Sequence, residues 1–108
     1  MHTTKKRKIR SEGGITRFSL DNGAILLRNH GAPVWVRATY SDVGEWYVVE
    51  VGYSDGAAHK FTGFSWGYSG EGCRGFSSWC EDNGVPLTDA AVMRMDNTKP
   101  GVKFDWRG

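Results

Sequence analysis

Two short stretches of this chain have the residue types and spacing of known chemistry. Gly70-Glu71-Gly72-Cys73-Arg74-Gly75 carries the G-x-G-x-x-G spacing with which backbone N–H groups at a helix start approach a pyrophosphate, and an aromatic strand precedes it as that role requires. The fingerprint also needs a parallel βαβ unit and an acid about twenty residues on, whereas this motif closes an antiparallel run with little chain after it. What remains is a generic anion or nucleotide site formed by Gly70, Gly72, Cys73 and Arg74. The alternative is structural: Gly67, Gly70 and Gly72 supply positive φ and close backbone approach where strand becomes helix. Gly63-Phe64-Ser65-Trp66-Gly67 has the G-x-S-x-G spacing of a nucleophile elbow, which needs an acid and then a histidine after the serine. His30 and His59 both precede Ser65 and no histidine follows it, so a hydrolase site is not expected.

Neither metal nor acid–base chemistry is legible elsewhere. The histidines, His2, His30 and His59, have no carboxylate or cysteine at ligand spacing, and the only adjacent acids, Glu81 and Asp82, fall at a helix end. We therefore expect no catalytic residue, no metal and no cofactor. Cys73 and Cys80 share a face of the expected helix at a separation of ~10.5 Å, beyond the ~7 Å that a disulfide spans. They read as reduced, buried, small apolar residues.

Aromatic residues point instead to binding. If Val34, Val36, Ala38 and Tyr40 face a core, Trp35 faces away with Arg37, and Trp46 or Tyr47 does so on the next strand. Trp35, Arg37, Trp46 and Glu50 are thus candidates for an exposed aromatic patch of the kind enriched at protein interfaces. The alternative is that the C-terminal strands or a second copy of the chain cover that face.

The elements that would position these residues are mostly strands. Thr16–Leu20, the Asp21-Asn22-Gly23 turn and Ala24–Leu27 read as a hairpin, because Asn-Gly suits a type I′ turn. Val34–Tyr40, Glu45–Tyr53 and Ala57–Trp66 continue as sequential strands separated by turns at 41–44 and 54–56. From Gly72 the period changes to 3.6: Cys73, Phe76 and Cys80 line one face with Trp79 beside them, and Gly84 and Pro86 end the helix. Residues 88–95 fit either a strand or a helical turn started by Thr88-Asp89, with a strand preferred, and Val102–Trp106 alternates cleanly. The expected fold is α+β: an antiparallel meander of five or more strands with one short helix on one face.

A length of 108 residues suits a single domain. Lys5, Lys6, Arg7, Lys8 and Arg10 form a basic run without an acid, and the rest of the chain holds nine basic against twelve acidic residues, a net of −3. Any nucleic-acid affinity is expected from that run, the alternative being a solubilising terminus. Residues 1–14 are read as a flexible tail, with Ser11–Gly14 as its hinge, and 15–108 as the domain. No apolar run approaches the ~20 residues of a membrane span, and no apolar segment behind the basic residues marks a secretory signal. A cytoplasmic protein without membrane contact is expected.

Trp66-Gly67-Tyr68-Ser69-Gly70-Glu71-Gly72, followed by a helix, resembles the W-G-Y-G-G-x-G-P hallmark of a family of small uncharacterised proteins of bacteria, phages and mobile elements. Trp66, Gly67, Tyr68, Gly70 and Gly72 match, while Ser69 stands for a glycine and Cys73 for the proline. The segment Trp46–Ser65 is similar to that family's short sheet. With no activity to carry over, the resemblance implies a fold and a protein of phage or mobile-element type. Together with the missing catalytic set it suggests a non-catalytic protein that occupies a surface of a larger host protein, as an anti-defence or anti-CRISPR-like inhibitor does. A nucleotide-binding module using Gly70–Gly75 and a nucleic-acid binder using the basic run are the alternatives, and a homodimer is compatible with each.

Overall fold

A computed structural model describes residues 8–44 and 46–108, so Lys5, Lys6 and Arg7 lie outside the described residues. In chain order it has α1 (Thr16–His30), β1 (Trp35–Tyr40), β2 (Tyr47–Gly52), β3 (Ala58–Phe61), α2 (Glu71–Asp82), α3 (Asp89–Arg94) and β4 (Gly101–Arg107). The expected α+β class and antiparallel sheet are present. The sheet, however, has four strands rather than five or more, in the order β3-β2-β1-β4, and there are three helices rather than one among the described residues.

The largest departure is α1, where a hairpin was expected. Its buried positions, Thr16, Ser19, Asn22, Gly23, Ile25 and Leu26, recur at helical spacing, but half of that stripe is polar. Burial there works through hydrogen bonds rather than through an apolar period. The Asn-Gly pair sits in mid-helix because both residues answer to tertiary partners. Asn22 is fully buried, and its side chain bonds the backbone of Arg10 in both directions, at 3.0 and 2.8 Å. Gly23 lies under Trp79, whose Cδ1 would stand 2.7 Å from a Cβ at that position. Gly31 then ends the helix at φ 78°, its N–H reaching Leu27 O at 2.9 Å.

Two further departures are smaller. Residues 89–94 form a helix, since Thr88 Oγ1 caps it by accepting the Ala91 N–H at 3.2 Å. The strand expected to run to Trp66 stops at Phe61 because side chains take over its ladder bonds. Glu12 accepts the Thr62 N–H at 2.8 Å, and Ser19 Oγ accepts that of Gly63 at 2.8 Å. Beyond this point Phe64, Ser65 and Trp66 are all buried, without the in–out alternation of a half-buried strand.

β1, β2, α2 and β4 form where expected, with small shifts at their ends. Val36, Ala38, Val49, Val51 and Phe61 are completely buried on one side of the sheet, and Phe64, Trp66, Phe76, Trp79, Cys73 and Cys80 pack against them. Phe76 lies centrally, with ring centroids at 5.7 Å from Phe64, 5.9 Å from Trp66 and 6.4 Å from Trp79. Its burial stabilises the fold by ~1.5–3 kcal/mol. Both cysteines are free and buried, and burial pushes the Cys80 thiol up to about 12. Gly84, at φ 69°, follows the C-cap Asn83 as the helix stop.

Candidate functional site

Alternation along the strands turns Trp35, Arg37 and Thr39 away from the core. Opposite them stand Gly52, Glu50 and Val48 of β2, and Arg107, Asp105 and Val102 of β4. Among the described residues no helix covers this side, and Val102 is 53% exposed. The register sets Lys60, Glu50, Arg37 and Asp105 in one row across the four strands, with alternating sign. Arg37 Nη2 donates to Asp105 Oδ2 at 3.2 Å; such an exposed pair contributes only ~0.2–1 kcal/mol. Trp35 is half-buried because its indole lies against Gly52, where a Cβ would be 1.9 Å from Nε1. Of the four residues read as interface candidates, Trp46 is the large apolar side chain that projects, at 58% exposure.

The start of α2 is closed by its own neighbours. Gly70 is extended, with φ −168°, so its role is close approach: a Cβ there would stand 2.5 Å from the Tyr68 ring. A Cβ on Gly72 would stand 2.2 Å from Ser65 Oγ, which itself pairs with the Tyr68 hydroxyl at 2.8 Å and Cys73 Sγ at 3.7 Å. Of the three glycines read as positive-φ positions, only Gly67 has one, at 88°. Cys73 is fully buried, and Arg74 is exposed on the outer side of the helix.

A third region, where the N-terminal segment meets β3, escaped the sequence reading. Glu12, placed there in a hinge, is 5% exposed. Its carboxylate accepts from Ser19 Oγ, from Asn22 Nδ2 at 2.8 Å, from His59 Nε2 at 2.6 Å and from the Thr62 N–H at 2.8 Å. Burial by itself raises this carboxyl; the hydrogen bonds from His59, Ser19, Asn22 and Thr62 together outweigh it and hold Glu12 below the ordinary carboxylate range. Because the carboxylate only accepts, His59 Nε2 carries the donated proton. Its Nδ1 has no hydrogen-bond partner among the described residues. Ser19 bonds the carboxylate rather than the imidazole, so Ser19, His59 and Glu12 are not ordered as nucleophile, base and acid.

Above this network opens a cavity of about 560 Å³, with Trp46, Tyr47, His59, Lys60 and Arg10 among its walls. Asn22 fixes the Arg10 backbone, and the Arg10 guanidinium lies over the Phe18 ring at 3.9 Å with Asp21 at 4.0 Å. Lys8 is exposed. No group of three His, Cys, Asp or Glu among the described residues could hold a metal, and no helix there is long and apolar enough to cross a membrane.

One signal did point to this region. His59 stands in phase with Phe61 on the core side of β3, and a polar group on that side requires a buried partner. Nothing local names Glu12, which lies 47 residues away. Comparison of the chain with family models, curated proteins and solved structures found no match.

Proposed function

We propose that this chain is a non-catalytic binding protein that docks on another protein through the uncovered face of its sheet. The observation that carries the reading is the row Lys60, Glu50, Arg37, Asp105, whose sign alternates across the strands beside the exposed Val102. A polyphosphate has one sign along its length and would meet Glu50 and Asp105 unfavourably, whereas a protein surface can alternate in register with the row. The inhibitor role against a larger host protein is the narrower form of this proposal and rests on the hallmark around Trp66–Gly72.

Capture of a partner from the cell of origin, repeated with Val102→Glu and with Glu50→Lys, tests the reading. Both side chains are exposed, so the variants should keep the wild-type unfolding midpoint while the captured partner is lost. Equal capture by wild type and both variants removes this face from consideration. Light scattering on the purified chain distinguishes a second copy as the occupant: a dimer that both variants dissociate would assign the face to self-association.

A further inference from the structure

We propose that the protein partner of the uncovered sheet face is a second copy of the chain, packed face to face about a two-fold axis that runs along the strands between β1 and β2. This inference rests on the reading of that face as a docking surface and names its occupant. The row across the strands is Lys60, Glu50, Arg37, Asp105, so its sign reverses about the midpoint between Glu50 and Arg37. Rotation about an axis through that midpoint turns the row end for end. Lys60 then faces Asp105 of the copy and Glu50 faces Arg37 of the copy, and each contact occurs twice, as an isologous interface requires. An alternating row of odd length would set like charges against each other under the same operation.

The neighbouring row agrees with this axis. Ala58, Gly52, Trp35 and Arg107 stand in register, and the rotation sets Trp35 against Gly52 of the copy and Arg107 against Ala58, with no like charges opposed. The central row is also incomplete within one chain. Arg37 turns to Asp105, donating from Nη2 at 3.2 Å, which leaves Nη1 for a further carboxylate. Glu50, between Arg37 and Lys60 in the row, has no side-chain hydrogen bond or ion pair among the described residues. Packed sheets lie about 10 Å apart, a gap that Glu50 and Arg37 span from opposite faces. Four strands about 4.8 Å apart and six residues of about 3.4 Å rise give each copy a face of roughly 400 Å². That is about half the ~800 Å² per partner of a standard interface, so the dimer is weak and depends on concentration.

Sedimentation equilibrium of the full chain, taken into the high micromolar range, tests the symmetry as well as the association. Wild type should show a dimer that grows with concentration and weakens with added salt. Glu50→Lys sets the new ammonium against Arg37 of the copy, and Arg37→Glu sets the new carboxylate against Glu50 of the copy. Each should weaken the dimer by about tenfold or more. An equimolar mixture of the two variants restores every opposite-sign contact, so we expect it to dimerise where neither variant does alone. The double variant, with both changes in one chain, should dimerise for the same reason, and it replaces the mixture if Arg37→Glu by itself unfolds beside Asp105. A wild type that stays monomeric overturns the proposal. So does a dimer that survives Glu50→Lys, or a mixture of the folded variants that stays monomeric. Failure of the underlying reading looks different: a monomeric wild type that captures a different protein, lost in Glu50→Lys, keeps the face as a docking surface and removes only the second copy as its occupant.

Discussion

Helices α1 and α2 lie against each other and each buries a stripe at helical spacing, but the two stripes are chemically opposite. That of α2 is Cys73, Gly75, Phe76, Trp79 and Cys80; that of α1 begins Thr16, Ser19, Asn22. Both use a glycine for close approach, Gly23 under Trp79 and Gly75 against Thr16, whose Cγ2 would stand 2.4 Å from a Cβ. α2 is held by contact area, while the first half of α1 is held by hydrogen bonds to a buried carboxylate and to the N-terminal backbone. A hydrophobic period detects only the first kind of helix.

Replacing the central residue of the apolar stripe should have the largest effect. Phe76→Ala removes transfer energy and leaves a cavity, costing ~3–5 kcal/mol in urea unfolding; a loss below about 1 kcal/mol would show that the α2 stripe does not anchor the core. The matching change in the polar seam is Glu12→Ala, which strands donors on Ser19, Asn22, His59 and Thr62. Hydrogen bonds to a charged group contribute ~1.5–3 kcal/mol, and the vacated space adjoins the open cavity that Glu12 lines, where water can meet some of the stranded donors, so we expect a loss of ~2–3 kcal/mol. A loss equal to that of Phe76→Ala would mean that the seam is as unforgiving as the apolar core.

The seam also has a pH signature that the apolar stripe lacks. The Glu12 carboxyl is held below its ordinary value in the folded chain, so its stabilisation is present above the unfolded value of about 4.3 and is lost as pH falls through the folded one. Wild type should therefore lose stability on acidification through this window more steeply than Glu12→Gln. Parallel curves for the two proteins would remove the carboxylate as the source.

Gly23→Ala sharpens the comparison by sign. An Ala in a helix interior is ordinarily better than Gly by ~1 kcal/mol, but here the new Cβ meets Trp79, and overpacking of this kind costs ~1–3 kcal/mol. We expect a net loss of ~1 kcal/mol, and a stabilised variant would show that α1 can slide away from Trp79. The smallest effect is expected outside both stripes: Arg74→Glu, on the exposed side of α2, should stay within ~0.5 kcal/mol of wild type.

Much of the fold was readable from local pattern because those elements are stabilised by what a short window contains. Alternation placed β1 and β4, with Val36 and Ala38 inward; β-branched and aromatic content placed β2; the 3.6 period with Gly84 and Pro86 bounded α2. Residues 88–95 were ambiguous because a six-residue helix with one buried side chain, Val92, has too little stripe to detect. The candidate sites divide in the same way. The outward position of Trp35 and Arg37 was legible, but the packing of Trp35 against Gly52 was not, since the two meet only when β1 and β2 pair.

Composition and pattern were enough for the class of the fold, the position of the aromatic core and the isolation of the basic run from the acids. The helical state of Thr16–His30, the early end of β3 and the cavity beside Glu12 were decided by tertiary structure alone. In each case the controlling interaction is a hydrogen bond or a steric approach between residues far apart in sequence: Glu12 with His59 and Thr62, Ser19 with Gly63, and Gly23 with Trp79. Local propensity at Asp21-Asn22-Gly23 favours a turn by an amount that a few buried hydrogen bonds exceed, and those bonds exist only once the chain has closed on itself.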